Sequence, residues 1–285
     1  MDTEAVENLE ATKNPTVTVI TVTFNSGDAL RKCWTTTTWP DGIDWIVVDN
    51  ASTDDSVIVA EELGAKVISL SKNQGFSYAN NVGAAATESQ VLLFANPDLM
   101  IDAHDIPGLA KLALKAGGIV APQLLNSDGS AQENGRQIPY LHRKLKHMFG
   151  AQDHQKDPYL VIAEPGEILD AVWVMGAAIA ISRSSFTKLG GWDPRFFIYY
   201  EDHDFGLRAR KNGLPVKIDG NTRWRHGWAR ETSKAKSLKP WRHEIGSALK
   251  FYARYPWAFL PIWPPPKYAR PKRKVLRPDE LHQFS

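Results

Sequence analysis

Four clusters of oxygen-bearing side chains carry the potential chemistry of this 285-residue sequence. Thr23-Phe24-Asn25 ends a β-branched run over 16–24, and Asp49-Asn50-Ala51-Ser52-Thr53-Asp54 follows an apolar run over 43–48. Asn96-Pro97-Asp98 ends a third such run over 90–95. Glu201-Asp202-His203-Asp204 follows an aromatic stretch over 195–200 and opens a helical pattern. Carboxylates can accept hydrogen bonds, hold hard cations or remove protons. Singly, each cluster also has a plainer reading. Asp49 or Ser52 can cap a helix, and acids at a helix start complement its macrodipole. Three polar clusters at successive strand ends favour a site, because open α/β sheets bind ligands at the carboxyl ends of their strands. No Gly-x-Gly-x-x-Gly follows the first strand and no P-loop occurs, so a phosphate-bearing ligand needs another cradle. A metal bridging a diphosphate to a carboxylate is the obvious substitute.

The elements that must position these clusters follow from periodicity. Strand patterns over 16–24, 43–48, 66–70, 90–95 and 118–121 alternate with helical patterns from Asp28 onward and over 53–63, 76–86 and 104–116. That alternation predicts βαβ units and a mostly parallel sheet. Residues 122–168 carry turn signals at Asn126 and Asp128-Gly129, and read as strand pieces with a mobile connection. Beyond them come an apolar run over 171–182, helices over 184–189 and 201–211, and a strand over 216–219. A last helix over 241–255 is stopped by Pro256.

At 43% hydrophobic and 10% aromatic residues the chain can bury a sizeable core, which excludes disorder for most of it. Its net charge of +2 hides a split. Residues 1–222 hold 19 basic and 28 acidic side chains, whereas 223–285 hold 15 basic and 4 acidic. There is no apolar run of about 18 residues to span a membrane. The start is polar and acidic, unlike a secretory signal, and a lone Cys33 cannot form an internal disulfide. A cytoplasmic protein is expected.

TVTFNS, IVVDNASTDDS, NQGFSYANNVG, VLLFANPD and VMGAAIAISRSSFTKLGGWDPRFFIYYEDHDFGLRARKNG occur in that order. Over roughly residues 16–230 the sequence resembles the family 2 glycosyltransferases, and within them the bacterial rhamnosyltransferase branch. The resemblance implies an α/β GT-A fold with a mostly parallel central sheet flanked by helices. It divides the chain into a polar leader (1–15), a catalytic domain (16–240), and a C-terminal helix with a basic, Pro- and aromatic-rich tail (241–285). Within the catalytic domain, 16–121 would bind the nucleotide sugar, and 122–240 would carry the acceptor site and catalysis.

The implied activity is inverting, metal-dependent transfer of a sugar to a glycan or lipid-diphosphate-linked acceptor in cell-surface polysaccharide synthesis. dTDP-rhamnose is the leading donor, with UDP-galactofuranose or another UDP-hexose as the alternative. By position, Thr23, Asn25, Asp49, Asn73, Gly75 and Asn81 match nucleotide-contacting residues. Asn96-Pro97-Asp98 stands where the wider fold carries Asp-x-Asp, so Asp98 keeps one hard ligand for Mg²⁺ or Mn²⁺ and His226 is a candidate second. Asp202 matches the general base, with Glu201 orienting the acceptor or the loop. Gly176 and Ala177 match the sugar and acceptor pocket, to which Trp192 and Asp193, just before the catalytic loop, are also assigned. Trp192 is placed there to stack on an acceptor sugar or to pack in the core. Arg136 matches an Arg-x-x-Pro feature of the branch.

Cations interleaved with Trp and Phe in the tail suit an anionic membrane, which implies a peripheral protein at the cytoplasmic face. A nucleic-acid binder is the rival reading of that tail, but it leaves Asp49, Asp98 and Glu201–Asp204 without a role, and an acidic body would repel a polyanion. A catalytically silent sugar- or nucleotide-binding module is a third reading, favoured by Asn96 and opposed by Asp202.

Overall fold

The apolar runs become strands buried on both faces, and they assemble around the first of them. The computed structural model describes residues 16–143, 157–227, 238–259 and 265–269. β1 (Val17–Thr23), α1 (Gly27–Trp34), β2 (Ile43–Asp49), α2 (Ser56–Glu62), β3 (Lys66–Ser69), α3 (Phe76–Ala85) and β4 (Val91–Ala95) alternate as expected. β1 pairs in parallel with β2 and β4, and β2 with β3, so four strands end on one rim. In β4, Leu93 packs into one core cluster, while Leu92 and Phe94 pack into the other. Burial on both sides is why these strands read as continuous hydrophobic runs.

The second half completes the sheet with less regular pieces. β5 (Leu99–Met100), α4 (Ile106–Ala116) and β6 (Ile119–Leu125) are followed by the short β7 (Gly135–Arg136), β8 (Leu160–Val161), β9 (Ile168–Asp170) and β10 (Trp173–Val174). Then come β11 (Ala178–Ser182), α5 (Arg183–Leu189), α6 (Glu201–Lys211), β12 (Val216–His226), α7 (Leu238–Arg254) and α8 (Pro256–Phe259). The main sheet runs β3-β2-β1-β4-β11-β6-β12-β5, and β7, β8 and β10 form a small second sheet. β11 runs antiparallel to both its neighbours and is the reversed strand in an otherwise parallel centre.

Two differences from the expected elements bear on the site. The apolar run over 171–182 is cut into β10 and β11, with the Met175-Gly176-Ala177 turn between them. The strand expected over 216–219 continues to His226. Gly220-Asn221 looks like a stop, yet the strand only changes register between Asp219 and Arg223. Asp219 fastens the irregularity, accepting from Asn221 N at 3.1 Å and Thr222 Oγ1 at 2.8 Å. A bulge fastened by a side chain re-aims the strand without ending it.

α7 is bound into the body. Phe251, Tyr252 and Tyr255 share a core cluster with Tyr159, Trp173, Phe196 and Tyr200. The leader (1–15), residues 144–156 of the expected mobile connection, and 270–285 of the tail lie outside the described residues. Among the described residues no helix is long and apolar enough to cross a membrane.

Phe251 is fully buried. Phe251→Ala is expected to lower unfolding free energy by about 3–5 kcal/mol in urea titration; a loss below about 1 kcal/mol would show that α7 is not part of the core.

Candidate active site

The strand ends of the first half surround a cavity of about 840 Å³, whose walls include Phe24, Asn25, Asn50, Asn73, Gly75, Phe76, Asn96 and Asp98. Phe197, Ile198 and Tyr199 from the loop before α6, and His243 from α7, complete it. Sequence reasoning missed this outer wall. The 197–199 loop adjoined the expected acidic cluster, but His243 had no local signal, because only the docking of α7 brings it here. Its ring stacks on Phe197 at 4.7 Å.

Thr23 and Asp49 lie beneath the floor and are absent from the cavity wall. Asp49 Oδ1 accepts from Thr23 Oγ1 at 2.8 Å and Ser52 Oγ at 2.5 Å, and Oδ2 accepts from Ser52 N at 2.9 Å. These bonds tie the end of β1 to the turn after β2. Asn25, at φ 52°, uses Oδ1 to accept from Thr53 N at 2.8 Å. Short polar side chains such as Asn tolerate that left-handed backbone.

Asn73 Oδ1 accepts from Gly75 N at 3.0 Å, and Asn50 holds the same loop through Gln74 N and Gly75 O at 2.9 and 3.2 Å. Gly75 has φ +88°, and a Cβ there would lie 2.4 Å from Phe197 O. The next residue, Phe76, donates its N–H to that same oxygen at 2.7 Å. Glycine therefore permits the contact that brings the aromatic loop against the first half.

Asn81, Trp192 and Asp193 turn out to be structural. Asn81 spends its amide on Trp192, donating to its O at 2.8 Å and accepting from its N at 2.9 Å. Trp192 is fully buried, stacked on Phe205 at 4.3 Å, so it offers no face to an acceptor sugar. Asp193 is bound by Arg195 and by Arg254 of α7. Burial works to raise its carboxyl, but those hydrogen bonds outweigh burial and hold it well below the usual range. Arg136 lies over the rings of Tyr159 and Trp173, within 6 Å, rather than on the cavity wall.

Asp98 and His226 do meet. β12 carries His226 beside β5, which puts its Nε2 3.3 Å from Asp98 Oδ1. His226 Nδ1 contacts Gln132 Oε1 at 2.8 Å, while Gln132 Nε2 donates to Asn126 Oδ1 at 3.3 Å. In the neutral ring with Nδ1–H facing Gln132, the lone pair is on Nε2, toward Asp98. Both Nε2 and Asp98 Oδ1 are buried and have no hydrogen-bond partner. Two lone-pair atoms facing one another fit a cation between them. No cluster of three or more His, Cys, Asp or Glu side chains occurs among the described residues, so any cation would need further ligands.

Glu201 and Asp202 open α6 behind the aromatic loop and do not line the cavity. A Cβ on Gly176 would touch Phe76 at 3.5 Å and Asp202 Cβ at 3.7 Å, so the pair adjoins the cavity through these two residues. Ala177 is buried, its carbonyl accepting from Asn96 N at 2.8 Å. Burial, reinforced by the Asp202 charge, pushes the Glu201 carboxyl well up. Burial also works to raise Asp202, but the adjacent His203 and backbone N–H donors bring it below the ordinary carboxylate value. Two neighbouring carboxyls pushed apart are suited to different roles, one neutral and one ionised.

These features coincide with sequence kinship. Residues 18–168, just over half of the chain, match the description "Glycosyl transferase family 2", and the chain belongs to that family of glycosyltransferases. An N-acetylglucosaminyl-diphospho-decaprenol L-rhamnosyltransferase of Mycobacterium tuberculosis is 28% identical over 59% of this chain and 61% of its own length. A low-salt glycan biosynthesis hexosyltransferase, Agl10, of Haloferax volcanii is 26% identical over 61% of this chain and 55% of its own. The chain thus matches only about three fifths of these relatives' length.

Among solved structures, GalNAc-T7 with UDP, GalNAc and Mn²⁺ superposes with a TM-score of 0.56 at 18% identity, covering 75% of this chain and 43% of that one. S. aureus TarS 1-349 with UDP-GlcNAc gives 0.54 at 15%, covering 74% and 58%. The fold is GT-A.

Gly75→Ala is expected to cost about 1–3 kcal/mol in denaturant titration, because Ala must adopt a left-handed backbone and displace Phe197. Unchanged stability would mean that the two halves do not depend on this contact.

Proposed function

We propose that the protein catalyses inverting, metal-dependent transfer of a sugar from a nucleoside diphosphate to a lipid-diphosphate-linked glycan. The observation that supports this most is the Asp98–His226 pair, whose buried, unpartnered atoms lie 3.3 Å apart, with Asp98 on the wall of a cavity at the carboxyl ends of the parallel strands. Asp98 and His226 would hold one divalent cation, and the donor diphosphate would supply further oxygens. A cation held there would supply charge stabilisation to the leaving diphosphate. An imidazole nitrogen suits Mn²⁺ better than the harder Mg²⁺.

Asn25, Asn73 and Asn96 offer hydrogen bonds to the nucleotide along the cavity. Thr23 and Asp49 act one layer down, by fixing the turns that present Asn25 and Ser52. Asp202, the ionised member of the pair, accepts the proton of the acceptor hydroxyl as that oxygen attacks C1 of the donor sugar. The C1–O bond to the diphosphate breaks, and the configuration inverts. Glu201, held toward its neutral form, orients the loop or the acceptor.

For Asp202 to meet the acceptor, the Phe197–Tyr200 loop must shift. Tyr199 and Tyr200, both left-handed at φ 68° and 66°, store strain in that segment. Gly176 lies between the base and Phe76, where a Cβ would make only ordinary contacts of 3.5–3.7 Å.

dTDP-rhamnose is the proposed donor, supported by likeness to a relative named as a rhamnosyltransferase; a UDP-hexose such as UDP-galactofuranose is the alternative. That relative's name also supports a diphospho-lipid acceptor, in synthesis of a cell-surface polysaccharide. The basic balance of residues 223–285 would hold the protein at the cytoplasmic face of an anionic membrane.

A thermal-shift screen of dTDP-, UDP- and GDP-sugars tests the donor site. Mn²⁺ is expected to strengthen binding of the preferred donor, and Asp98→Ala to weaken Mn²⁺-dependent binding by about tenfold or more; equal stabilisation in EDTA and in Mn²⁺ contradicts the metal assignment. Removing residues 270–285 is expected to reduce sedimentation with phosphatidylglycerol-containing vesicles, and unchanged sedimentation contradicts the tail's role.

A further inference from the structure

The residue between the two acids of Asp202-His203-Asp204 is turned inward. His203 Nδ1 lies 2.6 Å from Asp202 Oδ1, and the His203 backbone N–H donates to the same oxygen at 2.8 Å. Among the described residues, Asp202 Oδ2 receives one long contact, from Gly176 N at 3.3 Å. The His203 ring is held flat on Trp173, with centroids 3.5 Å apart, and is flanked by Tyr200 at 4.8 Å and Phe251 at 5.6 Å. Stacking fixes the plane of the imidazole, and the carboxylate facing Nδ1 fixes its proton there.

We propose that His203 is a positioning residue: its Nδ1–H occupies Oδ1 of Asp202 and leaves Oδ2, turned toward Gly176, as the atom that takes the proton. The inference rests on Asp202 being the base. The proton passes from the acceptor hydroxyl to Oδ2, the acceptor oxygen bonds to C1, and the nucleoside diphosphate departs with the electrons of the C1–O bond. His203 keeps its Nδ1 proton throughout and serves to orient the carboxylate and to keep it ionised.

The same contact opposes the burial of Asp202. Among the described residues, the other ionisable groups that act on Asp202 or on the tyrosines around it are Glu201 on α6, Tyr200 before it, Tyr159 and Arg136 at the small sheet, and Tyr252 and Glu244 on α7. Burial pushes Tyr200 up to about 12 and Tyr159 and Tyr252 higher still, so none of the three titrates with Asp202. Loss of the Nδ1–H leaves burial less opposed, so the Asp202 midpoint must rise.

The test is a ¹³C NMR titration of the Asp202 carboxyl in the full chain without ligand, its resonance assigned by Asp202→Asn. Wild type should titrate below the ordinary carboxylate range. His203→Phe keeps a ring on Trp173 but no donor, and should move the midpoint up by about one pH unit or more. His203→Gln, whose amide reaches the Nε2 position, should do the same and covers the case in which the Phe variant fails to fold. His203→Asn places an amide N–H where Nδ1 stood, and should restore the midpoint to within about half a unit. An unchanged midpoint in the Phe or Gln variant, or an Asn variant displaced as far as they are, overturns the proposal. The base assignment is read separately: Asp202→Asn should abolish transfer from dTDP-rhamnose, or from whichever donor the screen selects, while leaving donor binding intact. Turnover in that variant overturns the base reading, whatever the titrations give.

Discussion

Phe76 N–H and Phe197 O meet across the seam between the two halves of the domain, and the absence of a side chain at Gly75 permits the contact. Three features of the site depend on it. It sets the aromatic loop as the outer wall of the cavity, and it fixes where α6 begins. It also places Gly176 between Phe76 and Asp202. From the other side α7 fastens the loop, and the residue just after α7 fastens α6: Ser247 Oγ donates to Ile198 O at 2.8 Å, Lys250 Nζ to Arg195 O at 2.8 Å, and Tyr255 OH to Asp204 Oδ1 at 2.9 Å. The C-terminal helix is therefore part of the apparatus that holds the carboxylate pair.

Electrostatic sorting follows from that enclosure. A buried pair of adjacent carboxyls cannot both ionise cheaply, and here Asp202 has the stronger set of donors, from the His203 ring and from the backbone N–H groups of His203 and Gly176. Glu201 has a buried oxygen without a partner, as befits the member held toward its neutral form. At the strand ends the arrangement differs: Asp98 Oδ1 and His226 Nε2 lie 3.3 Å apart, both buried and, among the described residues, without a hydrogen-bond partner. On the proposed reading Asp202 would receive a proton and the Asp98–His226 pair would hold a cation. An inverting transfer to a hydroxyl, with a diphosphate leaving, needs both of these provisions.

The parallel sheet was legible because β1 and β4 are β-branched or apolar throughout and β2 is apolar over Trp45–Val48, as strands buried on both faces are. The clusters at their ends were legible for the same reason, since each strand stops at polar residues. What local pattern does not reveal is where a side chain points. Asn81 and Trp192 stand in recognisable motifs, yet one is spent on backbone and the other on the core. Gly220-Asn221 reads as a stop, but the Asp219 carboxylate turns it into a bulge, and His226 reaches the site only because the strand continues. His243 and Arg254 act through contacts more than forty residues distant in sequence, to which neither periodicity nor composition is sensitive.

The anomeric configuration of the transferred sugar tests the single-base displacement most directly. If Asp202 acts as the single base, as proposed, NMR of the product is expected to show the configuration opposite to that of the donor. A product that retains the donor's configuration would contradict the assignment of Asp202 as a base in a single displacement.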